Sequence, residues 1–255
     1  MRIVLKIGGN EIDDGDFLSR VAALVGKLQK ANHHVVLVHG GGKEITGLLD
    51  KLGIETRFVN GLRYTDARSL DAVEMMLSGS INKRLVRTLQ QSGVSALGMS
   101  GIDGKLLTAE KITRDGEDIG LVGEVSGVNV QLLESLLSSH VVVLSPISAD
   151  KTSGGPLNVN ADYAAAAVAS FLASELIIFL SNVPGVINEG NVLQKIDEKE
   201  FDALKENGVI TGGMVPKIEA ALRAVKDGAK IAFITDASGT EQIISGRNAG
   251  TQVAA

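Results

Sequence analysis

Hydrophobic and polar residues are distributed along the chain in two different patterns, one typical of buried strands and one typical of helices. Aliphatic runs such as 2–7 and 34–39 predict strands that are buried on both faces. Between these runs, over 16–30, apolar residues such as Phe17 and Val21 recur at the spacing of one helix face. Strands that alternate with helices predict an α/β fold, a three-layer sandwich with a mainly parallel central sheet.

The same two patterns continue to residue 235. They predict helices over 42–53, 66–91, 129–138, from about 162, from 198 and over 214–227, and strands over 93–99, 141–145, 175–180 and 230–235. Glycines break 103–127 into short β runs, which predicts hairpins there instead of a further strand–helix unit. Because the 255 residues contain neither a clear linker nor an internal repeat, we expect one domain, 1–255.

Composition and charge exclude several classes of function. The net charge of −5 argues against a nucleic-acid partner, because such proteins usually present a basic face. The chain has no cysteine and only four histidines, which excludes a thiol nucleophile and makes a zinc site unexpected. No apolar run approaches the ~20 residues of a membrane helix, and the chain opens on a strand instead of a signal sequence. We expect a cytoplasmic protein without a membrane partner.

Glycine-rich segments follow several of the predicted strands, at the sheet edge where α/β proteins bind ligands. The segments read KIGGN, HGGGKE, SPISADKTSGGPLNVNAD and LSNVPGV. The second is not a Walker A loop, because Leu37 and Glu44 stand where that motif needs Gly and Ser or Thr. It is not a dinucleotide fingerprint either, because Ile45 replaces the last glycine. Bare amides at a strand-to-helix turn can still hold an anion.

Several charged residues near these segments have two interpretations. Lys6 lies within an apolar strand, where an ammonium is costly to bury without an anion, so a functional role is favoured. Lys217 could act at the site or face solvent, and Arg63 could bind a carboxylate or form a surface ion pair. Asp162 could cap the following helix and also organise lysines. His39 is expected to bond locally, and no chemistry is assigned to it.

Taken together in this order, the motifs resemble the amino acid kinase family. The resemblance runs essentially from end to end, through LKIGGN, LVHGGGKEI, NGLRYTD, DIGLVGEV, LNVNAD, SNVPGV and GGMVPKI. Within the family, they are most similar to members that phosphorylate N-acetyl-L-glutamate with ATP and Mg²⁺, the second step of arginine biosynthesis. The resemblance implies an N-lobe of about 1–174 for the acyl substrate and dimerisation, and a C-lobe of about 175–255 for ATP.

The resemblance also implies a role for particular residues. Lys6 and Lys217 neutralise the transferred phosphoryl group, and Asp162 holds both lysines in position. Substrate and phosphoryl group are bound by the amides of Gly41 and Gly42, and the substrate α-carboxylate by Arg63 and Asn158. The phosphates are flanked by Gly8 and Gly9, and the nucleotide lies against Asn182, Val183, Gly185, Ile187, Ile210, Thr211 and Met214. No residue is assigned as a metal ligand.

Two other functions stay open at this stage. Related kinases act on an aminoadipate or glutamate group attached to an acidic carrier protein, but their basic docking segment is short and mixed in charge here. A non-catalytic nucleotide or amino-acid sensor is the other alternative, although Lys6, Asp162 and Lys217 are all present. Arginine-regulated members carry an extra N-terminal helix, which this chain does not show, so we expect a homodimer that is insensitive to arginine.

Overall fold

The computed structural model describes residues 1–9, 11–114 and 116–254. Asn10, which ends the first glycine motif, and Asp115 lie outside the described residues. The strands are β1 (Arg2–Ile7), β2 (His34–His39), β3 (Phe58–Val59), β4 (Leu62–Arg63), β5 (Ala96–Ser100), β6 (Leu107–Arg114), β7 (Glu117–Val128), β8 (Val141–Ser145), β9 (Ser148–Asp150), β10 (Pro156–Val159), β11 (Leu176–Leu180), β12 (Ile187–Asn188), β13 (Asn191–Val192), β14 (Lys195–Ile196), β15 (Ala232–Thr235) and β16 (Thr251–Val253).

The helices account for most of the remaining chain. They are α1 (Gly15–Lys30), α2 (Gly42–Lys51), α3 (Ala67–Glu74), α4 (Asn82–Gln91), α5 (Val130–Leu137), α6 (Ala161–Phe171), α7 (Glu198–Glu206), α8 (Met214–Lys226) and α9 (Ala237–Ile244). A π-helical segment, Met75–Ile81, joins α3 to α4, and Asp103–Lys105 form a 3₁₀ turn. In the described part of the chain, no helix is both long enough and apolar enough to cross a membrane.

The central sheet contains strands from both halves of the chain. Its order is β14-β16-β15-β11-β1-β2-β8-β5. The pairs are parallel except β15 with β16, which are antiparallel. The largely parallel sheet confirms the prediction from the sequence, and β1 lies near its middle.

Helices cover both faces of this sheet. Along β1, Ile3 and Leu5 belong to one core with residues of α1, α2, α3, α4 and α9, whereas Val4 belongs to the other core with residues of α5, α6 and α8. The predicted three-layer sandwich is therefore confirmed. Because side chains alternate along a strand, Lys6 shares the Val4 face and points toward the α6 layer.

A small barrel and a short hairpin complete the fold beside the sheet. The barrel is closed by β10, β7, β6 and β9, in agreement with the hairpins predicted over 103–127. The hairpin is β3–β4, and the residue that follows it closely, Thr65, bridges to Gly120 of the barrel. Gly120 has φ +81°, and a Cβ there would overlap the Thr65 carbonyl. Glycine at position 120 thus allows the close backbone contact that joins the hairpin segment to the barrel.

The structure departs from the sequence prediction in several places. The segment predicted as one helix over 66–91 is helical but contains the π-helical turn at 75–81, a feature that often marks functional sites. The fifth strand begins at Ala96 instead of 93. The C-terminal pair α9 and β16 was not predicted, because 237–253 lacks a long apolar run.

Candidate active site

Two glycine turns meet backbone to backbone at the carboxyl ends of β1 and β2. A Cβ on Gly9 would lie 2.5 Å from the amide nitrogen of Gly42 and 2.8 Å from that of Gly41. A Cβ on Gly41 would overlap Ile81 Cδ1 and lie 2.9 Å from Leu77 Cδ2, both in the π-helical segment. Packing alone therefore requires glycine at position 9, whereas at position 41 a Cβ would displace the ends of two buried side chains.

Gly42 is different, because packing does not require it. A Cβ at this position would meet nothing within 4 Å. Gly42 is the first residue of α2, whose N-terminus has no side-chain cap, so its amides are left for another acceptor. A bare amide at an uncapped helix N-terminus is a favourable anion site, and the missing side chain lets the anion approach closely.

A buried ion pair lies beside these turns. Lys6 Nζ is 2.7 Å from Asp162 Oδ1, and the two residues are only 4% and 7% exposed. The angles of this contact fall outside those of a hydrogen bond, and Asp162 Oδ1 has no other partner among the described residues. The N-cap of α6 is Asn160, whose Oδ1 accepts from the amide of Asp162, so the capping role considered for Asp162 is wrong. The Asp162 carboxylate is thereby left for Lys6.

Lys217 lies one turn into α8 and is half-buried. Its pKa is lowered from the usual lysine value by burial and then by the charge of Lys6, while Asp162 and Glu11 act in the opposite direction. The charge of Lys6 thus acts on the Lys217 ammonium. Lys217 Nζ has no carboxylate within 4.0 Å in the described residues and is 3.4 Å from the Gly213 carbonyl oxygen. Glu11, which lies near Lys217, was not considered from the sequence.

Arg63 and Asn158 are held on the other side of the glycine turn. Arg63 Nη2 donates to the Gly42 carbonyl at 3.1 Å and to Thr46 Oγ1 at 2.8 Å, and its guanidinium lies 4.8 Å from the Phe58 ring centroid. Asn158 Nδ2 donates to Thr65 Oγ1 at 3.1 Å, and that hydroxyl donates to the Arg63 carbonyl.

Arg63 has the electrostatics of an anion-binding residue. The side chain is 8% exposed, and no carboxylate lies within 4.0 Å of it among the described residues. Burial lowers the pKa of Arg63, an effect that the charge of Asp50 partly offsets. A buried guanidinium without a carboxylate partner is a suitable group to bind a substrate carboxylate.

Most of these groups face one cleft of about 200 Å³. Of the residues predicted from the sequence, the cleft is lined by Lys6, Gly9, Gly41, Gly42, Arg63, Asn158 and Asp162. Gly8 and Lys217 are not in its lining. An adjoining cavity of about 690 Å³ shares Phe58, Gly61, Leu62 and Asn160 with the cleft and is bounded by the first turn of α8.

Tyr163 and Glu219 form a polar wall of this second cavity. The Tyr163 hydroxyl donates to Glu219 Oε2 at 2.9 Å, and Lys205 Nζ lies 3.1 Å from Glu219 Oε1. Burial, followed by the hydrogen bond to the Glu219 carboxylate, raises the pKa of Tyr163 to about 12. The bond joins the first turn of α6, which carries Asp162, to the second turn of α8, just beyond Lys217.

The residues predicted to hold the nucleotide do not line the cleft; they lie between the end of β11 and the first residue of α8, Met214. Val183 and Gly185 are in the turn after β11, where Thr251 Oγ1 accepts from the amide of Val186. Ile187 is 45% exposed, but Ile210 is 1% exposed and packs in the core that contains α6 and α8. In this structure the Ile210 side chain is therefore not at the surface. The other residues predicted to hold the nucleotide line neither cavity; they are Asn182, Thr211 and Met214.

His39, to which the sequence assigned no chemistry, lies directly beneath the second glycine turn. It is fully buried and is 3.1 Å through Nδ1 from the Gly40 carbonyl oxygen. Burial lowers its pKa to about 4, and the charges of Arg84 and Lys83 act in the same direction. The imidazole is therefore neutral at physiological pH.

The fold and the site together define a class of protein. An α/β sandwich brings a buried lysine, an organising aspartate and uncapped helix amides to one cleft at the ends of its parallel strands, together with a guanidinium that has no carboxylate partner among the described residues. These groups suit the binding of phosphate and carboxylate groups side by side.

The comparisons with known proteins identify the family. The model of the amino acid kinase family matches residues 1–236, and the chain belongs to this family. Acetylglutamate kinase from Roseiflexus castenholzii is 43% identical over 238 residues, 93% of this chain and 90% of that protein. Acetylglutamate kinase from Methanopyrus kandleri is 42% identical over 245 residues, 92% of this chain and 95% of that protein. The solved structure of smu.665 from Streptococcus mutans UA159 has a TM-score of 0.84 and 33% identity, covering 99% of this chain and 98% of that one.

Replacing Gly42 by alanine should separate folding from ligand binding. Because the new Cβ meets nothing and alanine favours a helix, we expect unchanged or slightly higher stability, by up to about 1 kcal/mol. Activity should fall at least tenfold, because the methyl group blocks an anion at the amide. Thermal unfolding and turnover with ATP measure the two effects.

Gly47→Ala is the matched control, because Gly47 is in the same helix and its Cβ would also meet nothing within 4 Å. It should keep full activity. Equal activities of the Gly42→Ala and Gly47→Ala proteins would contradict the role of the Gly42 amide.

Proposed function

We propose that this protein is an enzyme that transfers the γ-phosphoryl group of ATP to the side-chain carboxylate of N-acetyl-L-glutamate. The products are N-acetyl-L-glutamyl 5-phosphate and ADP, and the reaction belongs to arginine biosynthesis. The observation that carries the proposal is the convergence of Lys6, Asp162, Gly42 and Arg63 on one cleft. Relatives that cover more than nine-tenths of the chain and are named acetylglutamate kinase support it.

The chemistry requires little from the protein beyond position and charge. The attacking carboxylate is already ionised at neutral pH, so no general base is needed. The obstacle is repulsion between two anions, the carboxylate and the phosphoryl group. Lysine ammonium groups and inward-facing amides offset this repulsion, most strongly where charge develops in the transition state.

Residues that line the cleft, together with Lys217 outside its lining, have different parts in this reaction. Lys6 and Lys217 neutralise the phosphoryl oxygens, and Asp162 fixes the Lys6 ammonium. Alignment of the two reactants supplies much of the acceleration in such reactions. The glycine amides align them from one side of the cleft. On the other side, Arg63 and Asn158 bind the α-carboxylate of the substrate.

ATP is the phosphoryl donor of this kinase family, and Mg²⁺ is proposed as its companion ion. In the described residues, no group of three His, Cys, Asp or Glu side chains is close enough to hold a metal ion. This donor set fits an Mg²⁺ ion that is bound chiefly by nucleotide phosphates and water. We assign the acyl substrate to a lobe of about 1–174 and the nucleotide to a lobe of about 175–255. The cytoplasmic location stays a prediction.

Two alternatives are less well supported. A kinase for a carrier-bound aminoadipate or glutamate would share the lysines and the glycine turns, but the relatives named above favour free N-acetyl-L-glutamate. A non-catalytic sensor would have no need to keep all three groups that act on a transferred phosphoryl group, yet Lys6, Asp162 and Lys217 are all present.

Trapping of the acyl phosphate tests the function directly. The purified protein is incubated with ATP, Mg²⁺, N-acetyl-L-glutamate and hydroxylamine, and the hydroxamate is measured. We expect hydroxamate with N-acetyl-L-glutamate and little with aspartate or aminoadipate in parallel reactions. Product only from aminoadipate or glutamate on a carrier protein would favour the first alternative. Nucleotide binding without any hydroxamate would favour the sensor.

Kinetics of three alanine variants should separate phosphoryl-binding from substrate-binding residues. Lys6→Ala and Lys217→Ala should lower kcat by about a hundredfold or more with a smaller change in KM, because the charge that they meet is greatest in the transition state. Arg63→Ala should act mainly on the KM for N-acetyl-L-glutamate. The same proportional change in kcat and KM for all three variants would contradict these roles.

Self-association is a further part of the proposal. The helical stretch from α3 through the π-helical segment leaves Met75 60% exposed, although it is a large apolar side chain. We propose that this face joins two copies into a homodimer. Sedimentation should give about twice the chain mass of 26.6 kDa, and Met75→Glu should shift it toward the monomer. A monomeric wild-type protein or a sixfold mass would contradict the assignment.

A further inference from the structure

The buried side chain of Asn82 defines which nitrogen of His39 carries the proton. Asn82 Nδ2 donates to the Val143 carbonyl at 3.0 Å and also lies near the Met99 carbonyl, while its Oδ1 accepts from Lys83 Nζ at 3.0 Å. These partners fix the orientation of the amide, because the reverse orientation would place oxygen against oxygen. The Asn82 NH₂ group therefore also faces His39 Nε2, at 3.2 Å.

In the contact with Asn82 Nδ2, His39 Nε2 must then be the acceptor. The proton of the neutral imidazole is therefore on Nδ1. Nδ1 is 3.1 Å from the Gly40 carbonyl oxygen and donates to it. The charged groups that act on the imidazole, Arg84 and Lys83, are both cations and disfavour a second proton on the ring. His39 is thus a fixed donor beneath the glycine turn.

The bond to Gly40 orients the amide of the next residue. The Gly40 carbonyl and the Gly41 N–H belong to one planar trans peptide group and point in opposite directions. With the carbonyl held toward the buried His39, the Gly41 N–H is directed away from the core. A Cβ on Gly9 would lie 2.8 Å from the Gly41 nitrogen, so glycine at position 9 leaves room beside this amide, and the Gly41 N–H has no acceptor among the described residues.

We infer that His39 is a positioning residue: through the Gly40–Gly41 peptide group, it holds the Gly41 N–H toward the anion that enters the cleft. The Asn82 amide serves the same end by fixing the imidazole tautomer. This inference rests on the proposed function, because the anion is the phosphoryl group of that reaction. It gives a role to a residue that touches neither substrate nor nucleotide.

Two substitutions of His39 distinguish positioning from packing. His39→Leu fills the space but removes the donor, whereas in His39→Asn the side-chain nitrogen takes the place of Nδ1 and can still donate to Gly40. We expect kcat to fall about ten- to a hundredfold in His39→Leu, with KM changed less, because a small misplacement of a binding group has effects of this size. His39→Asn should recover most of the loss.

Leu24→Ala, in the buried face of α1, is the control for lost stability. It should lower the melting temperature and leave the kcat per folded molecule unchanged. Wild-type kcat in folded His39→Leu, or His39→Asn no better than His39→Leu, would overturn the inference.

Nuclear magnetic resonance keeps the test independent of turnover. The ¹⁵N spectrum of the wild-type imidazole should show the proton on Nδ1, and the non-hydrolysable nucleotide AMP-PNP should shift the Gly41 amide signal. That shift should persist in His39→Asn and be lost in His39→Leu. A proton on Nε2, or the same Gly41 shift in both variants, would contradict the inference. Absence of hydroxamate with a normal Gly41 response would instead count against the proposed function alone.

Discussion

The ion pair between Lys6 and Asp162 is the interaction on which the site depends. Removing two charges from water costs several kcal/mol for each ion, and their attraction repays this only when the geometry is good. Here the ammonium approaches Asp162 Oδ1 at 2.7 Å but outside the angles of a hydrogen bond. Such a pair contributes little to stability compared with packed aliphatic side chains. Its burial at the end of the central strand is therefore better explained by a ligand than by folding.

Backbone packing brings the partners of this pair together. The two glycine turns can touch only because neither carries a side chain at the contact, and this places the amide of Gly42 beside the end of β1. The same strand presents Lys6 on the face that α6 covers, where Asn160 caps the helix and leaves the Asp162 carboxylate available. The cleft is thus a consequence of strand alternation, helix capping and glycine contact at one sheet edge.

Sequence patterns predict the parts of this arrangement that are local. The sandwich followed from strands and helices in alternation, and Lys6 and the glycine segments were identified from their places at strand ends. The sequence analysis considered Asp162 as the cap of α6, but the structure has Asn160 there; both residue types are good caps, and only backbone geometry separates them. The role of His39 could not be predicted, since it depends on Asn82, which is distant in sequence. The burial of Ile210 could not be predicted either, because this residue is in a short loop and its packing partners come from other helices.

Lys217 shows why the ligand is part of the electrostatic balance of the site. Its ammonium is disfavoured by burial and by Lys6, and no described carboxylate lies within 4.0 Å to compensate. A phosphoryl group placed between the two lysines would reverse both effects, because its oxygens can accept from each ammonium at once. The ammonium that burial and Lys6 disfavour is then stabilised when charge develops on the transferred group. Differential stabilisation of this kind lowers the barrier of a reaction instead of merely tightening ground-state binding.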